Sequence, residues 1–170
     1  RQQKCYLSFV NSIVIFNVFE GKEIDHRLHL HEREITALTF FNPLKYLISA
    51  AVDGSIKVWD SKEWFLQMVF VGHTHSVTSL AVYPEGPAIM STSKDKTIRV
   101  WNLDSCDEMD RAKVDETPEG LSTVLNYDKF ITWSGSHVDM WKIQHLYNIH
   151  TAIGQRVLLI KHTNHPFYPV

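Results

Sequence analysis

The residue types that could do nucleophilic chemistry occur in two sets along this chain. The sets are His31, Ser49 and Asp53, and His73, Ser91 and Asp95. A histidine beside a serine and an aspartate can activate the hydroxyl, as in acyl-transfer enzymes. A catalytic set occurs once, however, whereas these two sets repeat at one spacing, and no G-x-S-x-G segment marks a nucleophile. We therefore expect them to be structural and expect no catalysis.

Histidines are frequent enough to raise the question of a metal site, since the chain has 10 of them. His29 and His31 would share one face of a strand, as would His73 and His75. No carboxylate or cysteine completes either pair at ligand spacing. We expect no metal and no cofactor.

Charge and composition disfavour nucleic acid, membrane and nucleotide ligands. The 17 Lys and Arg against 19 Asp and Glu leave a net charge of -2, which gives no pull toward polyanions. The turns Asp53-Gly54 and Ser134-Gly135 lack the spacing of a phosphate-binding loop. No apolar run approaches the ~18 to 20 residues that cross a bilayer. We expect no nucleic acid, no membrane and no small-molecule substrate.

The cysteines indicate a reducing compartment. Cys5 and Cys106 form no C-x-x-C pair, and no N-x-[ST] acceptor points to secretion. We expect an intracellular, cytoplasmic protein. Because the chain starts at Arg1 with no signal segment, we also expect an internal piece of a longer protein.

An internal repeat organises the chain. Residues 31–60 align with residues 73–102 without a gap, at an offset of 42. A period of ~40 to 45 is typical of propeller blades with four strands each. The matched pairs include His31 and His73, Ser49 and Ser91, Asp53 and Asp95, and Trp59 and Trp101.

Short β-branched or aromatic runs between turn residues predict the strands. Ile35–Phe41, Tyr46–Ala50 and Ile56–Trp59 are separated by Asn42-Pro43 and by Asp53-Gly54. Outer strands are predicted after each tryptophan, at Leu66–Val71 and Met109–Val114. Their near-continuous apolar character predicts small sheets that stack on one another.

Gly72-His73, Ser91, Asp95 and Trp101 resemble a complete WD repeat, and the set from His31 to Trp59 matches it. The resemblance implies an all-β fold, a β-propeller of four-stranded antiparallel blades. It also implies a buried network in each blade: the Asp accepts from a turn and from the His ring, the His bonds the Ser, and the Trp donates its N–H. The implied structural residues are His31, Ser49, Asp53, Trp59, His73, Ser91, Asp95 and Trp101.

Weaker copies extend the repeat over the whole chain. Phe16 and Trp141 stand at the tryptophan position, while Ile131 and Gly135 replace the serine and the aspartate. We expect about four blades, an arc of a larger propeller. The expected divisions are a degenerate blade of strands b to d at 1–30, WD blades at 31–72 and 73–114, a degenerate blade at 115–154, and the start of a further blade at 155–170.

A partner surface is implied on one loop face, made by the loops that enter strand a and those that join strands b and c. Arg33 and His75 hold equivalent places in neighbouring blades. The candidate partner-binding residues are Glu32, Arg33, Glu34, Thr74, His75, Lys94 and Lys96.

We therefore expect a non-catalytic scaffold or adaptor that positions other proteins in a multi-protein complex. The alternative is a docking module of a longer protein whose enzymatic or nucleic-acid-binding domain lies outside this chain. The segment TNHPFYPV and the degenerate blades are similar to large multi-propeller WD-repeat proteins of motile cilia. That similarity implies a cilium or axoneme location.

Overall fold

The computed structural model describes residues 3–83, 86–124, 129–135, 137–146 and 156–166. Their regular structure is β-strand, in antiparallel sheets. The chain divides into two compact units, residues 1–77 and 78–170. None of the described residues belongs to a helix long and apolar enough to cross a membrane.

The first unit contains two sheets with strands in sequence order. The first sheet consists of β1 (Lys4–Phe9), β2 (Ser12–Asn17) and β3 (Lys22–Arg27). The second consists of β4 (Ile35–Phe41), β5 (Tyr46–Ala51), β6 (Ile56–Asp60) and β7 (Leu66–Phe70). The strands of the second sheet lie within one residue of the runs predicted from the sequence.

The second unit begins one residue into β8 and contains the rest of that sheet and one further sheet. The third sheet consists of β8 (Val77–Val82), β9 (Ala88–Ser93), β10 (Thr97–Asn102) and β11 (Glu108–Lys113). The fourth consists of β12 (Gly120–Thr123), β13 (Lys129–Ser134), β14 (His137–Leu146) and β15 (Arg156–Pro166).

The position of β15 corrects the expectation that 155–170 starts a further blade. β15 pairs antiparallel with β14 along its length, from Leu146 opposite Arg156 to His137 opposite Pro166. It is therefore the outer strand of the fourth sheet, whose β14 would otherwise present an unpaired edge. An apolar run suits either place, so its sequence could not decide between them.

A β-bulge recurs at the same point of every sheet. The pairing of the outer strand with its neighbour shifts directly before the tryptophan position, so the inserted residue twists the sheet there. The residues that follow the shift are Phe16, Trp59, Trp101 and Trp141.

Neighbouring sheets pack face to face within each unit. In the first unit, Ile13 and Ile15 of the first sheet contact Ile35 and Leu47 of the second. In the second unit, apolar side chains of the third sheet pack on Leu121, Phe130, Trp141 and Ile143 of the fourth. Burial on both faces is complete in β9, whose six residues, polar and apolar, are all buried.

Candidate functional site

The second sheet joins the predicted polar residues in one chain of hydrogen bonds, which runs from the buried Ser49 and His31 to Asp53, exposed on the turn between β5 and β6. The Trp59 indole Nε1 donates to Ser49 Oγ at 2.9 Å, and His31 Nε2 lies 2.7 Å from the same oxygen. His31 Nδ1 lies 3.1 Å from Ser55 Oγ, which donates to Asp53 Oδ1 at 2.7 Å. Since the Ser55 hydroxyl proton is directed to Asp53, His31 carries its own proton on Nδ1 and accepts from Ser49.

One link of this chain differs from the implied arrangement. Asp53 accepts from the turn, through the Ser55 amide at 2.9 Å, but it reaches the His31 ring through the Ser55 hydroxyl and not directly. The second repeat keeps a hydroxyl at this place, since Thr97 bonds Asp95 through both its amide and its Oγ1, at 2.9 and 2.6 Å. The repeat alignment contains this signal, and sequence reasoning overlooked it.

Burial sets the protonation of these groups. Burial, together with the nearby Lys57 charge, lowers the pKa of His31 from 6.5 to about 4, so the ring is neutral at pH 7. Burial raises the pKa of Asp53, but the two hydrogen bonds from Ser55 outweigh it and hold that pKa below its usual range. Ser49 is 0% exposed, so a substrate has no access to its hydroxyl. The geometry is that of a structural network.

The third sheet repeats the central bond of the network. Trp101 Nε1 donates to Ser91 Oγ at 2.8 Å, and His73 and Ser91 are both buried. The tryptophan and serine therefore have the same relation in both WD-type sheets.

The fourth sheet carries a residue of the hydrogen-bonded network that the sequence analysis missed. Trp141 Nε1 donates to Thr132 Oγ1 at 2.9 Å, so Thr132 holds the serine position and Ile131 does not. The hairpin from Ser134 to His137 is one residue shorter than the corresponding hairpin of the third sheet. Alignment by the tryptophans alone therefore shifts the assignment by one residue.

The candidate partner-binding residues are exposed on loops, as expected. Within the first unit, the turn that joins β5 and β6 lies between two of these loops. The Val52 amide donates to the Glu34 carbonyl at 2.9 Å, and a Cβ built on Gly54 would lie 2.6 Å from the His73 carbonyl oxygen and 3.1 Å from that of His75. This turn is thus flanked by the loops of Glu32, Arg33 and Glu34 and of Thr74 and His75.

The other two candidates lie in the second unit. Lys94 and Lys96 are exposed on the turn that joins β9 and β10, and Lys96 Nζ donates to the carbonyl of Asp115 at 2.9 Å. Among the described residues, His, Cys, Asp and Glu side chains form no group that could hold a metal ion.

Comparison with known proteins agrees with this geometry. The family model described as "WD domain, G-beta repeat" matches residues 22–60 and 64–102. The crystal structure of the RRP9 WD40 repeats superposes with a TM-score of 0.76 at 21% identity, covering 82% of this chain and 44% of that one. At that identity the likeness shows the fold, a propeller of four-stranded antiparallel blades.

Two relatives give the sequence context. WD repeat-containing protein 97 of Homo sapiens is 26% identical over an alignment of 172 residues including gaps, and the alignment covers 93% of this chain and 10% of that protein. The p21-activated protein kinase-interacting protein 1-like of Xenopus laevis is 41% identical over 83 residues, which cover 48% of this chain and 23% of that protein. The chain therefore spans a minor part of either relative.

Proposed function

Because this chain is built of WD repeats, we propose that it is a non-catalytic scaffold or adaptor that positions partner proteins in a larger assembly. Proteins of this family generally act as protein-interaction scaffolds and are typically non-catalytic. The observation that carries the proposal is the hydrogen-bonded network of the second sheet. It engages His31, Ser49 and Asp53 in the structure of one blade, and the repeat keeps the same residue types in the next. The chemistry that is left is that of the loop surface.

The surface that we propose for partners centres on the turn between β5 and β6. Arg33 and His75 lie on the two loops that flank this turn and are both exposed, so one partner can contact them together. Arginine is among the residues that contribute most to interface energies. The name of the frog relative, an interacting protein of a kinase, is consistent with such a role.

The alternative proposal is a docking module whose enzymatic or nucleic-acid-binding domain lies elsewhere in a longer protein. The small share of each relative that this chain covers, 10% and 23%, supports this alternative. Expression of the chain with and without its flanking sequence separates the two, since only the alternative predicts an activity that the flanking sequence adds.

Affinity purification from native tissue tests the scaffold proposal. The wild-type protein is one bait, and the double variant Arg33→Ala/His75→Ala is the other. We expect partners that co-purify with the wild type and are lost from the double variant. The same set from both baits would place the partner surface elsewhere, and no partner with either bait would contradict a scaffold role.

We propose a cytoplasmic location, in the cilium or axoneme. The lack of paired cysteines and the similarity of the C-terminal segment to ciliary WD-repeat proteins support it. A fluorescent fusion expressed in ciliated cells tests this, because diffuse signal with none along the axoneme would contradict the ciliary part.

A further inference from the structure

A cavity of about 110 Å³ opens in the second unit, beside the network of the fourth sheet. It lies between the loop 114–118, which enters that sheet, and the strands that carry Thr132 and Asp139. Its acidic lining comes from both sides, with Asp115 and Glu116 on the loop and Asp139 on β14.

The place of Asp139 in the fourth sheet is taken by a cation in the second and third sheets. Lys57 pairs with Ser49, and Arg99 pairs with Ser91. Asp139 pairs with Thr132, which holds the serine position. Each of these residues stands two places before the tryptophan of its sheet, so the three positions are structurally equivalent.

In the other two sheets the cation lies against the tryptophan. Lys57 Nζ is 5.9 Å from the centre of the Trp59 ring and donates to the Leu30 carbonyl, on the loop that enters its own sheet, at 2.9 Å. Arg99 Cζ is 5.8 Å from the centre of the Trp101 ring, and its guanidinium binds Glu108 at 2.5 Å. The position therefore suits a long cationic side chain above an indole.

The fourth sheet keeps the indole and reverses the charge. Trp141 still donates to its hydroxyl partner, but the residue two places before it is a carboxylate. In the fourth sheet the cavity lies between the strands and the entering loop. In the second sheet the Lys57 side chain spans the corresponding space, from β6 to the loop that carries Leu30. Glu116 is held at its rim, with Oε2 3.2 Å from Ser134 Oγ and 3.6 Å from His137 Nδ1.

We propose that this cavity binds the side chain of an arginine or lysine from a partner protein, which supplies the positive charge that Lys57 and Arg99 supply in their own sheets. Asp139 and Glu116 supply the negative charge, and the guanidinium or ammonium group donates hydrogen bonds to them. The partner's being a protein rests on the proposed scaffold function, whereas the recognition of a cationic side chain rests on the cavity alone.

Saturation-transfer NMR on the whole protein tests the proposal with the probe peptides acetyl-Gly-Arg-Gly-amide and acetyl-Gly-Lys-Gly-amide. The same peptide with citrulline, which has nearly the shape of arginine but no charge, is the ligand control. The variants are Asp139→Asn, Glu116→Gln and Asp139→Lys. Asp104→Asn, on an exposed turn, is the matched carboxylate control.

We expect saturable transfer to the arginine and lysine peptides and none to the citrulline peptide. Asp139→Asn should weaken binding about tenfold or more, the size of one charge-assisted hydrogen bond. Asp139→Lys should abolish binding by placing the cation of the other sheets in the cavity, and Asp104→Asn should bind as the wild type does.

Equal binding of the citrulline peptide, or wild-type binding by both Glu116→Gln and Asp139→Lys, would overturn the proposal. Glu116 lies on an exposed loop, so Glu116→Gln tests the site even where a change at Asp139 prevents folding. Loss of partners in the Arg33→Ala/His75→Ala purification is a separate readout, so the scaffold role and this site can fail independently.

Discussion

The hydrogen bonds from Trp59 to Asp53 run in one direction, because each hydroxyl on the way accepts one bond and donates the next. Removing Trp59, Ser49 or His31 leaves a buried neighbour with an unsatisfied polar group, which costs more than the bond itself contributes. The same residue types at the surface, where water replaces a lost partner, carry no such penalty.

Asp53→Ala compares an exposed residue that belongs to the network with one that does not. The substitution removes the acceptor of the Ser55 amide and hydroxyl and should lower the free energy of unfolding by about 1 kcal/mol. Arg33→Ala, an exposed position, should change it by less than about 0.5 kcal/mol. Urea unfolding of both variants checks the ranking, and a larger loss from Arg33→Ala would contradict a stabilising role of Asp53 in the network.

His31 should make stability depend on pH in a defined window. Its pKa is 6.5 ordinarily and about 4 in the fold, so between these values the unfolded chain binds the extra proton. The free energy of unfolding contributed by His31 is thus fully present above pH 6.5 and lost as pH falls toward 4. The slope is at most about 1.4 kcal/mol per pH unit.

Denaturation of the wild type and of His31→Gln across pH 4 to 7 measures this contribution. The variant is less stable at pH 7, because glutamine does not replace both ring contacts, but its stability should fall less steeply with acid. Identical slopes would show that His31 is already protonated in the fold or that its pKa is not depressed.

At the scale of elements, the two-residue turns show how one conformation accepts different residues. Val10 and Gly135 are each the first residue of such a turn, with φ of 54° and 50°. The left-handed region suits glycine and is unfavourable for a β-branched residue. The Val10 side chain is 57% exposed, so packing compensates little for this cost.

Val10→Gly should therefore stabilise the chain by about 1 kcal/mol, while Gly135→Val should destabilise it by a similar amount. A Cβ on Gly135 meets nothing within 4 Å, so the cost there is conformational and not a steric clash. Thermal melts of both variants test the pair. A loss of stability in Val10→Gly would mean that the valine makes a contact that outweighs its strain.

The strands themselves were predictable from the sequence, and the reason is physical. β4, β6 and β10 are rich in β-branched and aromatic residues and lie between turn residues, a pattern that favours a paired strand. The turn geometry was not predictable to one residue. A hairpin shorter by one residue moved the serine role to Thr132, and only pairing in three dimensions reveals that shift.

The cavity was likewise beyond sequence reasoning. No motif surrounds Asp139 in the sequence. Its equivalence to Lys57 and Arg99, which pair with Ser49 and Ser91, is seen only from the strand register. Arg33 and His75 lie on exposed loops, and their contact with a partner stays a prediction.

At the scale of the whole molecule, sheets of this kind are stable because each covers a face of the next. The second sheet buries Ser49 and Ala51 completely, on the face that carries Leu47 and packs on the first sheet. The equivalent residues of the first sheet, Leu7 and Phe9, are 51% and 68% exposed. This apolar face is the one that would promote association between copies of the chain.

Charging that face should improve solubility without a loss of stability. The double variant Leu7→Glu/Phe9→Lys places opposite charges on exposed positions, so its free energy of unfolding should change by less than about 1 kcal/mol. Light scattering and size-exclusion chromatography of the 170-residue chain should show a larger monomer fraction.

Ser49→Glu, the same kind of change at the equivalent buried position, should instead unfold the chain because it buries an unpaired charge beside His31 and Trp59. Should the double variant aggregate as the wild type does, the copies associate through another surface of the chain and not through Leu7 and Phe9.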